Sequence, residues 1–166
     1  MSQDTVKIKV ILCLALVSMM SCLFAQTSQL SPKISKTQVL VVLDSIDKGL
    51  TNKDAGTVVT NFASNAVITA TIVERQQTDT TKANKEKYRL SLEAGFKVFD
   101  DYKLRRKDVT VEIAPDGQKA TSLSTLVETY RFDGRAKQAA TKESASFEMI
   151  GGKVLLTKMD SKVTIE

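Results

Sequence analysis

The 166-residue chain contains no histidine and no tryptophan. Without histidine there is no Ser–His–Asp triad, no His–Asp pair and no imidazole ligand for a metal. The two cysteines, Cys13 and Cys22, both lie near the N-terminus. Everything after them lacks a catalytic thiol and any disulfide, so a hydrophobic core must carry stability. Aromatic residues are scarce, at 5%, which leaves few platforms for stacking bases. The net charge of +5 is partly concentrated in Lys103-Leu104-Arg105-Arg106-Lys107. A basic run without interleaved aromatics reads as a solvated strand start, so no nucleic-acid partner is expected. There is no phosphate-cradling glycine loop and no EF-hand pattern. No cofactor and no metal are expected.

Lys7 and Lys9 precede an apolar run from Val10 to Val17, followed by small and apolar residues up to Ala25. A basic start, a short apolar stretch and a small residue at a cut site form a secretory signal. The run is too short for a comfortable membrane span. Cleavage after Ala25 would release a secreted or periplasmic protein beginning at Gln26. A second route stays open. Met19-Met20-Ser21-Cys22 has the form of a lipobox, and lipidation at Cys22 would make the product a membrane-anchored lipoprotein. The expected organisation is a signal peptide over 1–25, a Ser- and Gln-rich tether containing Pro32 over 26–35, and one folded domain over 36–166.

Within that domain, Ser35 stands three residues before Gln38 in a capping-box pattern. Val39, Val42, Leu43, Ile46 and Leu50 follow at helical spacing. Thr51 and Asp54 repeat the pattern and open a short helix through Val58, Val59 and Phe62. The β-branched stretch from Val67 to Val73 reads as a strand. Residues 74–81 read as a polar loop. A long helix is predicted from about Lys82 to Asp100, with Tyr88, Leu92, Phe96 and Phe99 as a core stripe. Strands are predicted over 103–114, 119–132, 135–150 and 153–165. Asp116-Gly117, Asp133-Gly134 and Gly151-Gly152 separate them, and these dipeptides tolerate the positive φ angles of type I′ turns.

The turns set a register. Phe132 faces Arg135, Glu128 faces Ala139, Leu126 faces Thr141, Ser124 faces Glu143, Phe147 faces Leu156 and Ala145 faces Lys158. Unbroken alternation then defines an apolar face carrying Leu126, Phe132, Phe147 and Leu156. Ser124, Glu128, Tyr130, Glu143 and Lys158 interrupt it. A charge facing a core needs a partner or water. Three readings stay open: the groups line a pocket, Lys158 pairs with the diagonal Glu143, or a bulge swaps the faces. Glu128 and Glu143 stand roughly 14 Å apart along the backbone, too far to share a proton. With Tyr88 and Phe96 from the helix, the five make up the pocket candidates. No catalytic residue can be named.

The order helix, short helix, strand, long helix and four-stranded meander resembles the NTF2-like superfamily, which includes SnoaL-like and ketosteroid-isomerase-like proteins with a cystatin-like α+β fold. The resemblance spans about 36–165. It rests on Asp47-Lys48-Gly49-Leu50 before Lys53-Asp54-Ala55, on Glu128-Thr129-Tyr130-Arg131 before Asp133-Gly134-Arg135, and on Gly151-Gly152-Lys153-Val154 before the last strand. It implies a cone in which a curved mixed or antiparallel sheet wraps around N-terminal helices and encloses a pocket. Two functions follow from it. The first is a secreted, non-catalytic small-molecule-binding or interaction module, preferred because the His–Asp pair of many relatives is missing. The second is an isomerase or cyclase using a lone carboxylate, Glu128, beside Tyr88, Tyr102 or Tyr130. The Asp–Arg–Asp arrangement of epoxide hydrolases with this fold has no evident counterpart in the sequence. The implied partners are an apolar small molecule and a second copy of the chain against the outer sheet face.

Overall fold

The structure is a computed structural model that describes residues 32–75 and 77–165. The signal segment and most of the tether lie outside the described residues.

Helix α1 (Lys36–Thr51) begins at the predicted cap: the Ser35 side chain accepts from the Gln38 amide, and the Gln38 side chain accepts from the Ser35 amide at 2.8 Å. Its apolar stripe, Val39, Val42, Leu43, Ile46 and Leu50, is buried. Helix α2 (Ala55–Thr60) is capped by Asp54, which accepts from the Thr57 amide. Thr51 is the last residue of α1 and not a second cap.

Strands β1 (Phe62–Glu74) and β2 (Gln77–Asn84) form a hairpin running from Val67↔Asn84 to Glu74↔Gln77. The segment 74–81, read as a polar loop, is therefore largely strand. Almost every residue of β2 is exposed, so it has no apolar alternation to betray it. Backbone pairing holds it instead, with the Thr71 and Thr80 hydroxyls 3.1 Å apart across the hairpin. Helix α3 (Lys85–Val98) starts at an Asn84 cap, slightly later than predicted. The stripe Tyr88, Leu92 and Phe96 is only partly buried and packs at the margin of the core.

Strands β3 (Asp100–Ile113), β4 (Lys119–Phe132), β5 (Arg135–Ile150) and β6 (Lys153–Ile165) complete a six-stranded sheet of order β2-β1-β6-β5-β4-β3. Only β1 and β6 run parallel. At the β4–β5 turn Asp133 and Gly134 have φ of 50° and 71°, and at the β5–β6 turn Gly151 and Gly152 have 57° and 77°. Both are type I′ geometries. The β3–β4 connection is wider, because the Ala114 amide already pairs with the Lys119 carbonyl, and beside it Ile113 pairs with Ala120 and Val111 with Ser122.

Two bulges alter the predicted faces. In β6, Phe147 pairs with Leu156 but Ser146 pairs with Lys158, leaving Thr157 extra. Beyond that point the alternation inverts. Met159 faces the core opposite Ala145, and Lys158 does not. The pocket and ion-pair readings of Lys158 are corrected: its side chain is 57% exposed on the outer face and pairs with Asp160 at 2.6 Å. In β3, Lys107 pairs with Thr125 and Thr110 with Leu123, so Asp108 and Val109 share Ser124 as their opposite. Asp108 adopts φ of 55°. Before this bulge Tyr102, Leu104 and Arg106 turn inward, while Lys103, Arg105 and Lys107 are exposed.

Phe62, Phe147, Leu43, Ile68 and Leu156 are the largest fully buried side chains, where α1 and α2 pack on the sheet. Ile34, within the segment read as a tether, belongs to the same core and donates its amide to the Gly117 carbonyl at 2.8 Å. Helix α3 covers the other end of the sheet, and the space beneath it is not filled.

Candidate functional site: a cavity ending in carboxylates

A cavity of about 230 Å³ lies between α3 and the inner face of the sheet. Leu50, Ile68, Leu92, Phe96, Phe99, Leu126, Met159 and Val163 supply apolar wall, and Tyr88, Tyr102, Glu128, Thr141 and Glu143 supply polar atoms. A mostly apolar recess with a few convergent polar groups is the usual form of a small-molecule site.

Glu128 lies opposite Leu104 in β3 and Ala139 in β5. Neither neighbour brings charge. Its Oε1 accepts the Tyr102 hydroxyl at 2.6 Å, and its Oε2 accepts the Thr141 hydroxyl at 3.0 Å. Among the described residues it forms no ion pair. Tyr102 reaches Glu128 because a second irregularity in β3, near the left-handed Asp101, sets Tyr102 on the inner face. Burial first, then the Glu128 charge, push the Tyr102 phenol far above its ordinary value. It stays a neutral donor.

Behind this end of the cavity, Arg106 joins three elements. Its Nε and Nη2 clasp the Asp47 carboxylate of α1 at 2.8–3.1 Å, a fork matched to a carboxylate. Its Nη1 donates to Glu143 Oε1 and to Ser124 Oγ, each at 2.6 Å. The Arg106 and Glu143 side chains are only 6% and 7% exposed. Burial pushes the Glu143 carboxyl up, and the Arg106 charge offsets only part of that effect.

The Tyr88 ring stacks on Phe62, with centroids 5.6 Å apart and planes at 15°. Its hydroxyl forms no hydrogen bond among the described residues and faces the cavity. Burial, then the Glu143 and Glu128 charges, raise its pKa beyond the ordinary tyrosine range. Tyr88 is therefore an uncommitted neutral donor within reach of the charge of both carboxylates.

Of the predicted pocket residues, Glu128, Glu143, Tyr88 and Phe96 meet in this one cavity. Ser124 is buried behind it in the service of Arg106. Tyr130 is on the inner face but packs against Phe99, with centroids 4.6 Å apart, outside the lining. Lys158 is on the opposite side of the sheet. Arg106 and its partner Asp47 were not anticipated. The basic run hid Arg106, although Tyr102, Leu104 and Arg106 at alternate positions carried a faint strand signal.

No family model matches the chain, and no curated protein matches it by sequence. Solved structures do resemble it. A putative scytalone dehydratase from Novosphingobium aromaticivorans superposes with a TM-score of 0.64 at 9% identity, covering 77% of this chain and 83% of the other. A ketosteroid isomerase-like protein from Erwinia carotovora gives 0.59 at 12% identity, covering 76% and 94%. A putative calcium/calmodulin-dependent protein kinase II association domain from Xanthomonas campestris gives 0.59 at 18%, covering 75% and 84%. The chain has the NTF2-like fold: a curved six-stranded mixed sheet closed by helices. That fold carries both enzymes and association domains, so function must be argued from the cavity.

Proposed function

We propose that this is an exported binding protein that holds a small, largely apolar molecule in the cavity beneath α3 and performs no covalent chemistry on it. One observation carries the reading. The apolar recess ends on Glu128, whose two oxygens are already held by the Tyr102 and Thr141 hydroxyls. A carboxylate fixed in this way presents its remaining lone pairs in set directions, which suits orienting a bound polar group. Tyr88 offers a donor beside it. Filling the cavity by Leu92→Trp should abolish calorimetric binding of small apolar alcohols, ketones and amines. Equal binding by this variant would refute the site.

A catalytic reading of the same cavity has Glu128 accept a proton from a carbon acid. The absence of a cationic partner and the Tyr102 hydrogen bond support it. Deuterium exchange into a bound ketone, lost in Glu128→Gln, would favour catalysis over binding alone.

Export rests on the Lys7–Ala25 pattern. Intact mass of the protein from its host should begin at Gln26, or at a lipidated Cys22. A cytoplasmic product retaining Met1 would refute export. Pairing of two copies through the outer sheet face belongs to the same proposal, and sedimentation showing only monomer at tens of micromolar would remove it.

A further inference from the structure

The charged side chains lining the cavity are Glu128 and Glu143, and both are negative. The nearest cation, Arg106, is shared between Asp47 and Glu143. Three carboxylates against one guanidinium leave a formal charge of −2 at this end of the cavity. In a chain whose net charge is +5, that local excess is opposite in sign to the whole. Surface charge beyond about 10 Å is largely screened by salt, so the local sign governs a bound ligand.

Hydrogen-bonding capacity is unbalanced in the same sense. Glu143 is 8% exposed and commits Oε1 to Arg106, while Oε2 accepts no hydrogen bond among the described residues. Glu128 accepts one donor on each oxygen and has lone pairs to spare. Among the described residues the hydroxyls of Tyr88 and of Ser161, the cross-strand neighbour of Glu143, are the uncommitted donors of the lining. An occupant that fits this end must bring donors, and preferably positive charge. The walls agree, because Tyr88, Phe96, Phe99 and Tyr102 present rings around the cavity, and ring faces attract cations. The volume of about 230 Å³ is below the usual range of about 300–1,000 Å³ for ligand pockets, so the occupant is small.

We propose that the cavity selects cationic ligands, a protonated primary amine or a quaternary ammonium on a small apolar body, with the nitrogen between Glu128 and Glu143. This rests on the binding reading above and deepens it. A neutral alcohol of the same shape would leave the acidic excess unanswered. A carboxylate would add like charge in a place shielded from water.

The test is calorimetric titration of the full chain at neutral pH with three probes sharing one apolar body: phenethylamine, phenethyl alcohol and hydrocinnamate. Phenethylamine should bind at least about tenfold tighter than the alcohol, a difference of about 1.4 kcal/mol. Hydrocinnamate should be weakest. Glu128→Gln should weaken the amine more than the alcohol and bring the two within about twofold of each other. Glu143→Gln supplies the same comparison if the first variant does not fold. Leu92→Trp should abolish binding of both. Alcohol binding equal to or tighter than amine binding would overturn the charge selection and leave the binding reading standing. Failure of all three probes to bind, or binding indifferent to Leu92→Trp, would overturn both.

Discussion

Arg106 stands two residues before Asp108, whose left-handed φ of 55° marks the bulge that puts the Arg106 side chain on the inner face. The bulge places Asp108 and Val109 together opposite Ser124, so the strand changes face between Arg106 and Val109. Without it, straight alternation back from Val109 would send Arg106 to solvent and strand Asp47 and Glu143 without their cation. One backbone irregularity thus supplies the charge that makes a buried carboxylate tolerable.

The bulge should be sensitive to the residue that forms it. Asparagine and aspartate tolerate the left-handed region, glycine adopts it freely, and a β-branched residue does not. Asp108→Val should cost about 1–2 kcal/mol, the usual penalty for that conformation. Asp108→Gly should be close to neutral. Urea unfolding measures both, and a Val variant as stable as wild type would show that the bulge is not needed.

Loss of the guanidinium should be more severe. Arg106→Leu leaves Asp47 and Glu143 facing each other without a cation, and breaking such a buried arrangement costs about 3–5 kcal/mol. Arg106→Lys should restore only part, because an ammonium cannot reproduce the two-nitrogen grip on Asp47. The expected signature is a lower urea midpoint with an unchanged slope.

Glu143 predicts a pH effect. Burial holds its folded pKa above the unfolded value, so the folded state binds the extra proton more readily. Stability from this group is therefore greatest below the ordinary carboxylate range and declines as pH rises through the folded value. Asp47 from α1, Arg106 from β3, Glu128 and Ser124 from β4 and Tyr88 from α3 surround it. Asp54, lowered by its Thr57 hydrogen bonds, contributes with the opposite sign. The difference between wild type and Glu143→Gln isolates the term. Stability of the Gln variant relative to wild type should rise as pH rises through the folded value, and a constant difference across pH would refute the raised value.

Gly49 near the end of α1 should not be improved. Alanine would gain about 1 kcal/mol in helix propensity. A Cβ there would lie 2.8 Å from Val58 Cγ2 and 2.9 Å from the Val58 amide nitrogen. The second contact is backbone and cannot rotate away, and overpacking of this kind costs about 1–3 kcal/mol. Gly49→Ala is expected to lower the melting temperature. A rise would mean that α2 can move off α1.

The sequence by itself determined the parts of this protein that depend on neighbours along the chain. Ser35 and Gln38 announce α1, two-residue turns announce the β4–β5 and β5–β6 hairpins, Asp116-Gly117 marks the wider β3–β4 connection, and β4, β5 and β6 begin and end where they were predicted to. A turn dipeptide sets its own φ angles, so pairing follows outward from it and places Glu128, Glu143 and Ser124 on the inner face. Tertiary structure decided the rest. The polar strand β2 exists because β1 offers it an edge. The bulges in β3 and β6 depend on packing between the sheet and the helices and have no dipeptide signature, so they removed Lys158 from the interior and brought Arg106 into it. The cation for Glu143 then came from β3 and its second carboxylate from α1, elements distant in sequence. The charges lining the cavity were legible in the chain, but the groups that hold them, Arg106 for Glu143 and Tyr102 for Glu128, were a matter of which elements the fold brings together.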